Sequence, residues 1–237
     1  MPVCRALLPK PQSMFSLPHN MTKALHLLLA LAGVFSGFSV LAQDAGAGEK
    51  KASMCIGCHG IVGYQSSFPE IYKVPKVSGQ NAKYIAAALA AYKKGERKHP
   101  TMRSIAASLT DQDMADLAAF YEGHGKEAIK AVADSTQPAP SAEVAALLTK
   151  GACASCHGAN FNKPIDGVYP KLAGQHADYL YAALRAYSTE GNPQVGRSNA
   201  IMVGQVKQFK RSELKAMSAY MATLQGDVRL VPNAHFR

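Results

Sequence analysis

Apolar residues recur at helical spacing in two segments, residues 81–94 and 176–187. Positions three and four apart lie on one face of a helix, so each segment predicts an amphipathic helix. The residues that define the two faces are Tyr84, Ala88 and Ala91 in the first segment and Tyr179, Ala183 and Ala186 in the second. The match between the two patterns indicates that the two halves of the chain contain the same helix.

A second pair of helices is predicted at residues 111–121 and 211–224, late in each half. Thr110 is a suitable N-cap for the first of them, because its hydroxyl can accept a backbone N–H of the first turn. The apolar faces consist of Met114, Leu117 and Tyr121, and of Leu214, Met217 and Met221. We expect these helices to pack against the N-terminal helix of each half. Because little of the chain alternates with a period of two, the predicted fold class is all-α.

The sequence repeats itself with a period close to the length of a small domain. Residues 75–84 match residues 170–179 at an offset of 95, and later segments match at an offset of 100. Small changes of offset indicate insertions in the loops between corresponding elements. The chain is therefore interpreted as a tandem duplication.

The composition changes between the halves. Residues 134–140 contain two prolines and no apolar periodicity, and Ser141 follows as a candidate N-cap for a helix that runs to Lys150. We therefore predict a first domain at residues 43–134, a linker at 135–140 and a second domain at 141–237. Domains of roughly 95 residues bury little apolar surface, so a bound cofactor is expected to supply part of each core.

The motif Cys-x-x-Cys-His occurs once in each half. Its residues are Cys55, Cys58 and His59, and Cys153, Cys156 and His157. This motif is the signature of covalent haem attachment, in which the two thiols add to the haem vinyl groups and the adjacent imidazole binds the iron. A zinc site, a disulfide and a thioredoxin-like redox pair are the alternatives. Repetition of the whole motif behind an export signal favours two haem c groups over all three.

Residues 1–42 have the pattern of a cleaved signal peptide. Lys23 precedes an apolar run at residues 24–40, and the small residue Ala42 follows. The run has about 17 residues, fewer than the roughly 20 of a membrane-spanning helix. Cleavage after Ala42 is expected, and Met21 offers an alternative start for a leader of ordinary length. The mature protein is then predicted to reside in the periplasm of a Gram-negative bacterium.

The formal net charge of the whole chain is +10. Three of the basic residues precede the predicted cleavage site, so the mature polypeptide is close to +7. Scattered basic residues and export both argue against nucleic acid as a partner, and favour docking to an acidic protein or an anionic membrane surface. The second domain carries 11 basic and 6 acidic residues, against 12 and 10 in the first. We therefore expect the second domain to face the more acidic partner.

The second ligand of the iron decides between an electron carrier and an enzyme. Ligation by His and Met suits electron transfer, whereas an open position permits catalysis. Met102 and Met202 correspond at the offset of 100 and precede the last helix of each half. We predict these two methionines as ligands.

Other candidates in the first half fit less well. Met54 is adjacent to an attachment cysteine on the proximal side, and Met114 corresponds to Leu214, which indicates a core position. His99 is expected in a surface loop, and His124 is expected to be exposed or to cap a helix. Loops are predicted at residues 60–76 and 158–171, which are rich in glycine, proline and aromatic residues and suit a segment around a cofactor edge.

Pro75 and Pro170 follow the two haem motifs at similar distances. Their carbonyls are expected to accept the Nδ1 hydrogens of His59 and His157. Such hydrogen bonds fix the ring of a metal-binding histidine and strengthen its donation.

Taken together, the repeated motifs resemble the dihaem class I cytochromes c of the cytochrome c4 type. The motifs are Cys-x-x-Cys-His, Pro-x-x-x-Gly-Gln ahead of a tyrosine-containing helix, and a methionine before the final helix. The resemblance covers essentially the whole mature chain, with one departure, a longer loop at residues 188–200. It implies two cytochrome c domains, each wrapped around a covalently bound haem and related by a pseudo-two-fold axis. The ligands that it implies are thioethers at Cys55, Cys58, Cys153 and Cys156, proximal His59 and His157, and distal Met102 and Met202.

The function that follows is electron transfer without conversion of a substrate, so the chain is not expected to be an enzyme. The resemblance implies a periplasmic carrier that passes electrons from a donating complex to a terminal oxidase, sometimes loosely attached to the inner membrane. An electron-accepting subunit of a dehydrogenase, such as a sulfide-oxidising flavoprotein, is the first alternative. A dihaem enzyme is the second. A thiosulfate dehydrogenase would use a distal cysteine, and no cysteine remains in the mature chain once the four attachment residues are assigned.

Overall fold

The computed structural model describes residues 42–126 and 137–232. The predicted signal peptide other than Ala42, and the first two residues of the predicted linker, lie outside the described residues. The helices of the first half are α1 (Ala45–Lys51), α2 (Ser53–His59), α3 (Ala82–Lys94), α4 (Pro100–Ala107) and α5 (Asp111–Gly123). Those of the second half are α6 (Ala142–Lys150), α7 (Ala154–His157), α8 (Ala177–Ala186), α9 (Ala200–Val206) and α10 (Arg211–Thr223). The strands are β1 (Gln65–Ser66), β2 (Tyr72–Lys73), β3 (Arg97–Lys98) and β4 (Gly196–Arg197).

The helices predicted from apolar spacing are confirmed as α3, α5, α8 and α10, and the helix behind Ser141 is confirmed as α6. The Thr110 hydroxyl accepts the backbone N–H of Asp113, and the Asp113 carboxylate accepts the N–H of Thr110. This reciprocal capping box satisfies two backbone donors at the start of α5. Ser141 caps α6 in the same way, through the N–H of Val144.

The late helix of each half packs against the first helix, as predicted. In the first half α5 contacts α1 and α3, and in the second half α10 contacts α6 and α8. The buried face of α5 includes Met114, Leu117 and Tyr121, and that of α10 includes Leu214, Met217 and Met221. The expected core position of Met114 is therefore confirmed.

The short strands lie in segments where the sequence predicts no strand. Strands β1 and β2 form an antiparallel hairpin within residues 60–76, which were expected to be a loop. Strands β3 and β4 belong to different halves and pair antiparallel, with Arg97 opposite Arg197. These two arginines are also 100 positions apart, at the same offset as the two methionines. Antiparallel pairing of a segment with its own repeat is the arrangement that a two-fold axis between the halves produces.

The longer loop at residues 188–200 adds to the contact between the halves. The backbone N–H of Ser198 donates to the carbonyl of Glu96 at 3.0 Å. The Lys98 Nζ donates to the carbonyl of Asn192 at 2.8 Å. Among the described residues, no helix is long and apolar enough to cross a membrane.

Candidate cofactor-binding site

Each Cys-x-x-Cys-His motif is presented by a short helix. Helix α2 carries Cys55, Cys58 and His59, and in the second half Cys153 precedes α7, which carries the rest of the motif. All four cysteines have intermediate exposure, and none of them forms a disulfide within the described residues. Burial raises the pKa of the Cys55 and Cys153 thiols. Helical spacing places the two sulfurs of a motif on one face, where a single flat group can meet both.

In both motifs the Nδ1 atom of the histidine lies against the carbonyl oxygen of a proline. The Nδ1 of His59 lies 2.7 Å from the carbonyl oxygen of Pro75, and the Nδ1 of His157 lies 3.0 Å from that of Pro170. The expected histidine–proline contacts are confirmed. Because a carbonyl only accepts, Nδ1 carries the hydrogen and Nε2 keeps its lone pair. Burial lowers the pKa of both imidazoles, which keeps them neutral and available as metal ligands.

Met102 and Met202 occupy equivalent positions on two short helices. Met102 lies on α4, where its backbone N–H donates to the side chain of the N-cap His99 at 3.4 Å. Met202 lies on α9, where its N–H donates to the side chain of the N-cap Asn199 at 3.1 Å. His99 was expected in a surface loop, but it is partly buried and caps α4. The sequence suggested no helix here because the apolar side chains of so short a helix show no full period.

A single cavity of about 720 Å³ is lined by the predicted site residues of both halves. All eight predicted site residues line it: Cys55, Cys58, His59, Met102, Cys153, Cys156, His157 and Met202. Its apolar walls come from both halves and include Leu89, Ile105, Leu117, Leu180, Leu184 and Val206. Two cysteine pairs, two neutral imidazoles and two methionine side chains around an apolar space fit two haem groups, one in each half.

Two arginines contribute positive charge to the same cavity, and of these Arg97 is buried and Arg197 is partly buried. Arg97 Nη1 donates to the hydroxyl of Tyr84 at 3.1 Å and Nη2 to that of Tyr179 at 2.7 Å. Arg197 Nη2 donates to the Tyr179 hydroxyl at 3.2 Å. Burial alone would raise the pKa of Tyr179, but the charges of both arginines outweigh it and bring that pKa to about 8.

Neither Arg97 nor Arg197 forms an ion pair with a carboxylate in the described part of the chain. Within the same residues, the Nε of Arg97 has no hydrogen-bond partner. A buried guanidinium without an anion is costly, which indicates that the cavity receives a negatively charged group here. Haem carries two propionates, so the charge of the cavity matches the cofactor that the motifs predict. The sequence contained a signal for these residues, since both arginines pair at the offset of the methionines.

Some large apolar side chains that line the cavity are also exposed to solvent. They are Met54 and Phe68 in the first half and Val168 and Ile201 in the second. Met54 is 55% exposed. Each half therefore presents apolar surface at the edge of the cavity.

Comparison with known proteins agrees with this geometry. The family described as cytochrome c matches residues 45–123 and 141–225, once in each half. The chain is similar to cytochrome c4 of Azotobacter vinelandii, with 31% identity over 86% of this chain and 100% of that protein. It is also similar to the crystal structure of reduced recombinant cytochrome c4 from Pseudomonas stutzeri, with a TM-score of 0.55 and 29% identity over 78% of this chain and 100% of that one. A further relative, at 27% identity over 85% of this chain and 96% of its own length, is a thiosulfate dehydrogenase electron acceptor from Stutzerimonas stutzeri.

Proposed function

Because the chain belongs to the cytochrome c family, as one of its dihaem cytochrome c4 members, we propose that it is a periplasmic carrier that passes electrons one at a time towards a terminal oxidase. Electron transfer through two haem c groups is the family's function. The observation that supports this chain's role as a carrier is the matched His and Met set in each half of one cavity. Two equivalent sites, each closed by a methionine as proposed, would suit transfer between proteins better than conversion of a substrate.

The two haem c groups are held by thioether bonds at Cys55 and Cys58 in the first domain and at Cys153 and Cys156 in the second. When bound, each haem supplies a one-electron iron couple. In our proposal His59 and Met102 would bind the iron in the first domain, and His157 and Met202 would bind it in the second.

The protein residues prepare these sites in three ways. The carbonyls of Pro75 and Pro170 orient the imidazoles and leave Nε2 free to bind metal. The thioethers of Met102 and Met202, bound to iron, would favour its reduced state and would leave no open position for a small molecule. Arg97 and Arg197 are the residues that would hold haem carboxylates, since they supply unpaired positive charge inside the cavity.

The predicted leader supports the proposed periplasmic location, since a protein with covalent haem and a signal peptide is loaded after export. Loose association with the inner membrane would rely on surface charge. The second domain, with its larger basic excess, is the proposed contact with the more acidic partner. The exposed Val168 and Ile201 at its cavity opening give that contact an apolar centre.

A second candidate function is supported by one relative, the thiosulfate dehydrogenase electron acceptor. In that role the chain would receive electrons from a dehydrogenase instead of diffusing between membrane complexes. The two roles use the same haem sites and differ in the partner.

Mixing the reduced holoprotein with membranes of the source bacterium tests the carrier role. Rapid reoxidation that cyanide abolishes is expected if a terminal oxidase accepts the electrons. Absence of reoxidation, together with copurification of a dehydrogenase chain from the periplasm, would instead establish the accepting subunit.

A further inference from the structure

The peptide unit between Pro75 and Lys76 joins the two halves of the protein. Its carbonyl oxygen accepts the Nδ1 hydrogen of His59 at 2.7 Å. Its N–H, on Lys76, donates to Oε1 of Gln175 in the other half at 3.0 Å. A single planar peptide group therefore connects the proximal histidine of the first domain to a glutamine of the second.

The second half contains the equivalent connection. The carbonyl of Pro170 accepts from His157 at 3.0 Å, and the N–H of Lys171 donates to Oε1 of Gln80 at 2.8 Å. Both glutamines belong to the repeated Pro-x-x-x-Gly-Gln motif. In each half, the Pro–Lys peptide unit of the motif therefore bonds to the histidine of the same half. The glutamine of the motif bonds to the Pro–Lys peptide unit of the opposite half.

Each glutamine is fixed in this orientation by further bonds. The side-chain nitrogen of Gln175 donates to the Lys76 carbonyl at 2.8 Å, and that of Gln80 donates to the Lys171 carbonyl at 2.9 Å. The oxygen of Gln175 also accepts the N–H of His176 at 3.0 Å. Both glutamine residues are 4% exposed, so water does not compete with these bonds. In a buried position without water, successive hydrogen bonds polarise one another and each becomes stronger.

The direction of this polarisation is fixed by the chemistry of the peptide. Donation by the Lys76 N–H to an acceptor moves electron density onto the Pro75 oxygen, which then accepts more strongly from His59. Stronger acceptance at Nδ1 makes Nε2 a better donor to a bound metal. A better donor stabilises oxidised iron relative to reduced iron and lowers the reduction potential.

We propose that each glutamine is a positioning residue for the haem of the opposite domain, with Gln175 acting on the first-domain haem and Gln80 on the second. The proposal rests on the axial roles of His59 and His157 in the proposed function. Its consequence is that the interface between the halves contributes to both potentials through the two histidines.

Replacement of each glutamine by leucine in the dihaem holoprotein tests the proposal. Redox titration followed by NMR gives each haem its own midpoint, with signals assigned by nuclear Overhauser contacts to the surrounding helices. Gln175→Leu is expected to raise the ratio of reduced to oxidised iron in the first domain about threefold at a fixed applied potential. At 59 mV per tenfold change in this ratio, the first-domain midpoint rises by about 28 mV. Gln80→Leu is expected to do the same in the second domain.

Asn81→Leu is the matched control. The Asn81 Nδ2 donates across the same interface to the carbonyl of Tyr169 at 3.0 Å, but that peptide unit ends in Pro170 and has no N–H. This variant loses an interdomain side-chain bond but keeps the Asn81 backbone N–H, which donates to Gln80 Oε1 at 3.1 Å. Both connections therefore persist, and both midpoints should stay unchanged. Three results would overturn the proposal: a change of midpoint only in the domain that carries the substituted glutamine, an equal change of both midpoints, or no change of either.

Two further measurements keep these outcomes separate from failure of the proposed function. The far-red charge-transfer band of Met-ligated ferric haem should persist in every variant; its absence from the wild-type protein would contradict the axial ligands themselves. If Gln175→Leu does not accumulate as holoprotein, Gln175→Glu retains the acceptor and strengthens it. That variant is expected to lower the first-domain midpoint more than the second, and equal lowering would overturn the proposal.

Discussion

Arg97 and Arg197 lie opposite each other in an antiparallel pair of strands, although they are 100 positions apart in the sequence. Both side chains are hydrogen-bonded to the hydroxyl of Tyr179. A buried cation and a partly buried one that share a neutral partner repel each other, so their proximity needs an anion to offset it. The haem propionates are the anions that the family supplies.

Loss of one buried arginine is expected to change the redox behaviour of the holoprotein. Arg97→Met removes a positive charge beside the cofactor cavity, which favours the oxidised state and lowers the mean midpoint potential. Voltammetry should show a drop of about 59 mV, which is a tenfold change in the oxidation equilibrium. Arg103→Met removes the same charge from an exposed position on α4 and is expected to have little effect. Equal shifts in the two variants would show that Arg97 does not face the haem carboxylates.

Each domain is expected to load its haem independently, because the motifs lie in separate helices with their own packing partners. The double variant Cys153→Ser/Cys156→Ser should carry one covalent haem in place of two, as measured by mass spectrometry. The mirror variant at Cys55 and Cys58 should give the same mass. Loss of both haems from either variant would contradict independent loading.

The glycine of the first Pro-x-x-x-Gly-Gln motif holds the two halves in close contact. Gly79 has a φ of +79°, and a Cβ there would collide with the backbone carbonyl of Asp227 in the second half. Gly79→Ala should therefore destabilise the holoprotein by more than the roughly 1–3 kcal/mol that a left-handed backbone alone costs. Gly63→Ala is the control, because Gly63 has a φ of +73° with no atom near its missing Cβ. Thermal unfolding in which the control loses as much as Gly79→Ala would exclude the steric contact.

An ionic cluster between α1 and α5 predicts how stability changes in acid. Lys51 Nζ lies 2.7 Å from Asp113 and 2.8 Å from Asp116. Hydrogen bonds from Lys51 hold the pKa of both carboxyls below the usual 3.8. Groups with a lowered pKa in the folded state stabilise it above their unfolded pKa, and this contribution is lost as the pH falls through the folded values. Denaturant midpoints should therefore decline below about pH 4 in the wild-type protein and decline less in Lys51→Met. An unchanged acid profile in the variant would contradict this role.

The helices that the sequence predicted have a complete apolar face, whereas those that it missed are too short to show one. Helices α3, α5, α8 and α10 were predictable because each places several apolar residues on one face, and α5 also has its cap at Thr110. Helices α4 and α9 were missed because they are short and their side chains face the cavity. The predicted cysteines and histidines of the site came from the duplicated Cys-x-x-Cys-His motif, and the two methionines came from their common offset of 100.

Contacts between the halves could not be read from periodicity. The pairing of β3 with β4 involves two residues from each half, and the bonds of Gln80 and Gln175 join segments more than 90 positions apart. The repeat showed that the glutamines were equivalent, but only the structure shows that each one contacts the opposite half. Arg97 and Arg197 were detectable in principle from their common offset, but only the structure shows that both line the cofactor cavity.

The absorption spectrum of the oxidised holoprotein, followed by carbon monoxide addition to the reduced form, decides whether Met102 and Met202 bind the two irons. We expect a far-red methionine-to-iron charge-transfer band of two-haem intensity and no carbon monoxide binding. That result would establish two closed His/Met sites. A missing or half-intensity band together with carbon monoxide binding would show that Met102 or Met202 is not a ligand, and would contradict the proposed electron carrier.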